Sequence, residues 1–125
     1  MLIRRALSTG AIAIIFSLSI IAPIFGQSST REYAPKSGQP GKDVVWVPNP
    51  DVMVQKMLDM ARLTRDDYVD DLGSGDGGNV IAAAKRGARA HGMEYDPDLV
   101  ELAKRVAAKE GVRDRATFER GDVFT

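Results

Sequence analysis

DDLGSGDGG, residues 70–78, sets four glycines and three aspartates in nine positions. Its first three residues end a strand expected over Tyr68–Leu72, and it precedes the helix-forming run NVIAAAKR. Strand, glycine turn and helix in that order make a unit whose turn approaches a ligand with its backbone. The pattern continues outward on both sides. The helix is expected from about Gly78 to Arg86, with Gly87 ending it as a C′ residue. Residues 89–95, RAHGMEY, read as a second strand. Asp96 then caps a helix with Pro97 at its first position, running to about 110 and presenting Leu99, Leu102, Ala103 and Val106 on one side. Gly111 stops it, and ATFERGDVF, residues 116–124, reads as a third strand. Upstream, Asn49 and Pro50 open a helix over 50–63 with Val54, Met57, Leu58 and Ala61 on one face. Met53, Met57 and Met60 recur at helical spacing there and read as packing residues.

Helix followed by β-α-β-α-β predicts an α/β fold: half of a doubly wound parallel sheet with right-handed crossovers. Ligands of such sheets bind at the C-terminal ends of the strands. The glycine turn, Glu94 and Asp122 all fall there.

The start of the chain is of another kind. Arg4 and Arg5 precede an uncharged run from Ala6 to Phe25, rich in Ile, Leu and Ala. Residues 1–26 therefore read as a signal peptide or a membrane anchor, an apolar leader helix ahead of the fold. Twenty residues at about 1.5 Å each reach roughly 30 Å, enough for a bilayer core. Both alternatives send the remainder outward, so the domain is expected to be exported or periplasmic, or anchored through residues 6–25. Residues 27–43, QSSTREYAPKSGQPGKD, have the composition of a flexible linker. The domain proper is expected over 44–125.

Composition excludes some chemistry. The chain has no cysteine and a single histidine, His91, so neither thiolate catalysis nor a metal cluster is expected. Its 17 basic and 17 acidic residues cancel, and without Arg4 and Arg5 the count is 15 against 17. That balance carries no footprint for bulk nucleic-acid binding.

The turn fits two templates. Gly73, Gly75 and Gly78 satisfy the dinucleotide pattern G-x-G-x-x-G, while Asp71, Gly73, Gly75 and Gly77 satisfy D-x-G-x-G-x-G. Charge separates them. A pyrophosphate on this turn would stand near Asp71 and Asp76, and two like charges about 5 Å apart cost roughly 3 kcal/mol at an effective dielectric near 20. A cationic ligand without phosphate reverses that sign. S-adenosylmethionine, with a sulfonium and an ammonium, is such a ligand.

DDLGSGDGG resembles motif I of the class I S-adenosylmethionine-dependent methyltransferases, which have a Rossmann-like fold. HGMEYDP resembles the end of that family's second strand, and RGDVF the end of its third. The resemblance covers roughly residues 44–125 and implies the roles that follow. Asp71 and the backbone of Gly73, Ser74, Gly75 and Gly77 would lie near the methionine moiety, with Asp71 holding the turn or acting through water. Glu94, 23 positions after Asp71, would take the ribose hydroxyls. Tyr95 would face the adenine ring. Asp122, followed by Val123, would accept from the adenine amino group. VVWVPNPDVMVQKML resembles a segment before motif I in a group of bacterial members related to membrane-associated protein lysine methyltransferases. Asn49 and Trp46 stand there where that group has Thr or Ser and Tyr. The implied partner is a methyl acceptor, a protein or a small molecule, with the membrane as a further partner if the leader is retained.

In that family the acceptor-positioning residues follow a fourth strand, which pairs with the first. The chain is therefore expected to be a fragment, or half of a site completed elsewhere, with Tyr68–Leu72 as an open edge and no catalytic residue to name. Two alternatives stand beside the methyltransferase: a non-catalytic binder of adenosine ligands or truncated inactive gene product, and a nicotinamide-dependent oxidoreductase. An exported domain would also meet little S-adenosylmethionine, which is made in the cytoplasm.

Overall fold

Strand β3, Tyr68–Leu72, runs parallel to β4, Arg89–Glu94, which runs parallel to β5, Ala116–Arg120. The computed structural model describes residues 32–125, so the expected leader and the first part of the expected linker lie outside the described residues. The strand order is β3-β4-β5. The register places Leu72 beside Met93 and Met93 beside Glu119. All three strands thus finish at one end of the sheet, and the segments leaving them share that end.

Helices α2, Gly78–Lys85, and α3, Pro97–Lys109, are the two crossovers. Alternation along the strands decides which face they cover. Ala90, Gly92, Ala116 and Phe118 are buried, whereas Tyr68, Asp70, Leu72, Thr117 and Glu119 are exposed. One face of the sheet is therefore covered among the described residues. Six of the twelve buried members of the core are alanine. Small side chains let α2 and α3 lie close on the sheet, and Phe118 is the one aromatic ring among them. On α3 the buried stripe is Leu99, Val100, Ala103 and Ala107, with Leu102 and Val106 half-buried. The expected face is rotated slightly toward Val100, because the sheet takes the small side chains innermost.

The expected caps of α3 are present. Asp96 accepts a hydrogen bond from the Asp98 amide at 2.9 Å, and Pro97 is the first helical residue. The opening of the first helix differs. Helix α1 spans Asp51–Met60, Pro50 stands at its N-cap without a side-chain bond, and the Asn49 amide donates to Asn79 at 3.3 Å instead. Val54 and Leu58 of α1 are buried against α2, while Met57 and Ala61 remain exposed. The Arg86 guanidinium joins the two helices, bonding the Gln55 carbonyl, its side chain and Asp59.

Two segments expected to be irregular or extended behave otherwise. Within residues 27–43, β1, Gln39–Pro40, pairs antiparallel with β2, Val45–Trp46. Lys42 and Asp43 form the loop between them, closed by the Gly41 amide donating to the Val44 carbonyl at 3.0 Å. The linker-like composition is that of a tight turn between two very short strands. At the other end β5 stops at Arg120 rather than continuing to Phe124. Gly121 still donates to the Glu94 carbonyl at 3.0 Å, but Asp122 then takes the Phe124 amide at 3.1 Å and turns the chain.

Candidate functional site

The glycine turn is tied to β4 by its backbone. The amides of Gly73 and Ser74 both donate to the Met93 carbonyl, at 2.8 and 2.9 Å. Gly73, Gly75 and Gly77 have φ of 92°, 56° and 81°. Gly77 is also where the turn meets the core: a Cβ on it would fall 2.7 Å from the Phe118 ring and 2.8 Å from the Ala103 methyl. This left-handed, close-packed residue is the N-cap of α2.

Glu94 holds turn and helix together. Its Oε2 accepts from the Gly75 amide at 2.9 Å, and its Oε1 accepts from the Asp96 amide at 2.9 Å. A carboxylate offers about four lone-pair sites, so each oxygen keeps capacity for one further donor. Asp71 lies behind the turn. It accepts from Asn79 at 3.1 Å, and Asn79 in turn accepts from Asn49. Burial pushes the Asp71 carboxyl above its ordinary range, against the pull of the Asn79 bond and with help from the charges of Asp70 and Glu94.

Asp122 stands across from Glu94. Its carboxylate forms an ion pair with Lys42, whose ammonium also lies 5.3 Å from the centre of the Tyr95 ring. The hydrogen bond from Lys42 is the main reason that the Asp122 carboxyl sits below the usual range, followed by the Phe124 amide.

Between these groups lies a cavity of about 350 Å³. The strand ends line one side, with Gly73, Glu94, Tyr95, Asp122 and Val123; the β1–β2 hairpin lines the other. A Cβ on Gly73 would meet nothing within 4 Å, so a ligand could come up to the backbone there. The half-buried Trp46 indole presses on Gly75, where a Cβ would fall 2.6 Å from Nε1.

The structure therefore brings together five of the nine expected site residues around one cavity. Asp71, Gly75 and Gly77 shape the turn from behind it. Ser74 is different: only 7% exposed, its hydroxyl is packed against Gly92, finds no hydrogen-bond partner, and does not line the cavity. Its side chain points under the turn because the Ser74 amide is fixed on the Met93 carbonyl. Sequence reasoning missed Lys42 and Asn79, and it named Trp46 only through the resemblance of the segment before the turn. A lysine at the tip of a Pro-Gly-Lys-Asp turn was the available signal for the first; nothing local marks Asn79.

A parallel sheet with a G-x-G-x-G turn after its first strand, an acid ending the second and an acid just past the third defines a class. The described residues have the fold of part of the Rossmann-like domain of the class I S-adenosylmethionine-dependent methyltransferases, and the sequence likeness points to the same class. Residues 71–125 match the family model described as the ANTKMT methyltransferase domain. The chain is 39% identical over 83 residues to a protein-lysine N-methyltransferase of Saccharolobus islandicus, covering 65% of this chain and 52% of that one. It is 42% identical over 79 residues to a lysine N-methyltransferase of Xenopus laevis named for its action on ATP synthase, covering 63% and 34%. Among solved structures it is similar to an RNA methyltransferase from Salinibacter ruber in complex with S-adenosyl-L-homocysteine. There the TM-score is 0.61 and the identity 47%, over 62% of this chain and 52% of that chain. The chain thus spans about half or less of the length of these relatives.

Proposed function

We propose that the protein is an S-adenosylmethionine-dependent protein-lysine methyltransferase and that residues 44–125 are its cofactor-binding half. The observation that carries this is the cavity itself, with exposed Gly73 backbone, Glu94 and Asp122 on one rim and no basic side chain from the glycine turn. The donor and acceptor set fits the cofactor. Glu94 keeps acceptor sites for ribose hydroxyls. Asp122 is an acceptor for an exocyclic amine, with Tyr95 and Val123 beside it as apolar surface for a purine. Asp71, when ionised, lends negative potential to a turn that would otherwise favour anions through the α2 N-terminus. A pyrophosphate would suffer from that same charge, which speaks against the nicotinamide alternative.

When bound, the cofactor supplies an electrophilic methyl carbon. These residues bind and orient it; proximity and alignment are the main contributions a protein makes to such a displacement. A lysine acceptor must lose its proton before attack, and no residue between 32 and 125 is assigned that task. The lysine preference rests on the names of the Saccharolobus and Xenopus relatives. The uncharged run 6–25 supports placement of the domain at a membrane, which fractionation of the full-length protein would test.

The test is methyl transfer from labelled S-adenosylmethionine to a panel of proteins and RNAs. Label on lysine side chains is expected. Label on RNA alone would overturn the acceptor assignment. Cofactor binding with no transfer to any acceptor would favour the non-catalytic alternative.

A further inference from the structure

The hairpin β1–β2 lines the cavity on the side opposite the strand ends; one of its residues touches the cofactor-facing groups and another rests on the glycine turn. Lys42, in its two-residue loop, ion-pairs with Asp122 and stands over the Tyr95 ring. Trp46, at its base, rests on Gly75. We propose that the hairpin is a strap over the cofactor cleft, latched by Lys42 on Asp122, and that an adenine amino group and the Lys42 ammonium compete for that carboxylate. The proposal rests on the assignment of Asp122 and Tyr95 to the adenine ring.

Several features suit a latch rather than a fixed structural pair. The side chains of Lys42 and Asp122 are 35% and 19% exposed, so water and salt reach the pair. Ion pairs of this kind are weak restraints and are screened by ions. A second carboxylate is at hand for the released ammonium: Asp43 lies 3.8 Å from Lys42 Nζ on the same loop. Lys42 can therefore leave Asp122 without losing all its partners. The strap is short, two residues in each strand, and its backbone bonds run within it, from Gly38 to the Trp46 carbonyl and from Gly41 to the Val44 carbonyl, so it can lift as a unit. Trp46 belongs to the same strap and rests on the glycine turn, so a strap that lifts carries the indole off Gly75 and opens it to solvent.

Trp46 is the only tryptophan in the sequence, so fluorescence reports on the strap without any ligand. The experiment compares the full-length protein with Lys42→Met and with Lys42→Arg, which retains a cation for Asp122. Acrylamide quenching of Trp46 and titration with S-adenosylhomocysteine are measured at low and high salt. The latch predicts stronger quenching in Lys42→Met, several-fold tighter binding of S-adenosylhomocysteine, and near wild-type behaviour in Lys42→Arg. It also predicts that salt tightens binding to the wild type and leaves Lys42→Met unaffected. Unchanged quenching in Lys42→Met overturns the latch. Unchanged or weaker binding in that variant, where the wild type binds, overturns the competition. Failure of every form to bind S-adenosylhomocysteine overturns the function proposed above, and with it the competition; quenching still decides whether Lys42 holds the strap.

Discussion

Gly77 carries two constraints that no other residue type satisfies together. Its φ is 81°, and the Phe118 ring and Ala103 methyl leave no room for a Cβ. Left-handed backbone and overpacking each cost about 1–3 kcal/mol, so Gly77→Ala is expected to lose ~2–6 kcal/mol in urea denaturation. Asp71 makes the opposite case, a residue that costs stability where it stands. Its carboxyl is raised by burial, so the native state holds the proton more tightly than the unfolded chain does. Stability therefore falls as pH rises through the folded pKa, and the ionised group is unfavourable at neutral pH. Asp71→Asn keeps an acceptor for Asn79 and removes the charge. It is expected to raise the urea midpoint at pH 7, with the gain vanishing as pH falls to roughly 4, the ordinary aspartate range. The same variant is expected to bind S-adenosylhomocysteine more weakly. A carboxylate kept against stability is what a binding site demands. Residues of this sort were legible because the glycine and acid pattern is local. Lys42 was not, since its partner Asp122 lies 80 positions away and no periodicity connects them.

Among the elements, the two βα units were readable from alternation, capping residues and terminal glycines. Asp96, Pro97, Gly87 and Gly111 sit where those rules put them. The hairpin was not readable, because two-residue strands show no period and their turn residues look like those of a tether. The start of α1 misled for a related reason: Asn49 has the right chemistry for a cap, but the N-cap position falls on Pro50, and the Asn49 side chain donates from Nδ2 to Asn79. Helix α1 depends on α2 for its place, with Val54 and Leu58 buried and Arg86 as the polar clamp. Removing the clamp by Arg86→Ala is expected to cost about 1–2 kcal/mol, mainly through the lost bonds to Asp59 and the Gln55 carbonyl. Hydrogen exchange should then quicken across Asp51–Met60 while Arg89–Glu94 keeps its protection. Equal acceleration in both would show that α1 is not separately held.

At the scale of the whole molecule, the described residues make a three-stranded parallel sheet with one bare face and with β3 and β5 as its edges. Tyr68 and Leu72 are 59% and 63% exposed on β3, an edge strand. Parallel sheets are ordinarily covered on both faces. A fragment of residues 32–125 is therefore expected to bind a hydrophobic dye and to associate with rising concentration, and Leu72→Lys is expected to reduce both in sedimentation and dye titration. Dye binding and association unaffected by Leu72→Lys would place the sticky surface elsewhere.

The central claim is that the cavity beside Gly73, Glu94 and Asp122 takes S-adenosylmethionine. Calorimetric titration of the full-length protein with S-adenosylhomocysteine, and separately with NADH, tests it most directly. One-to-one binding of S-adenosylhomocysteine is expected, weakened ~10–100-fold in Glu94→Ala, as loss of hydrogen bonds to a charged group implies. NADH should give no comparable heat. Binding of NADH with none of S-adenosylhomocysteine, or binding of the latter that ignores Glu94→Ala, would contradict the claim.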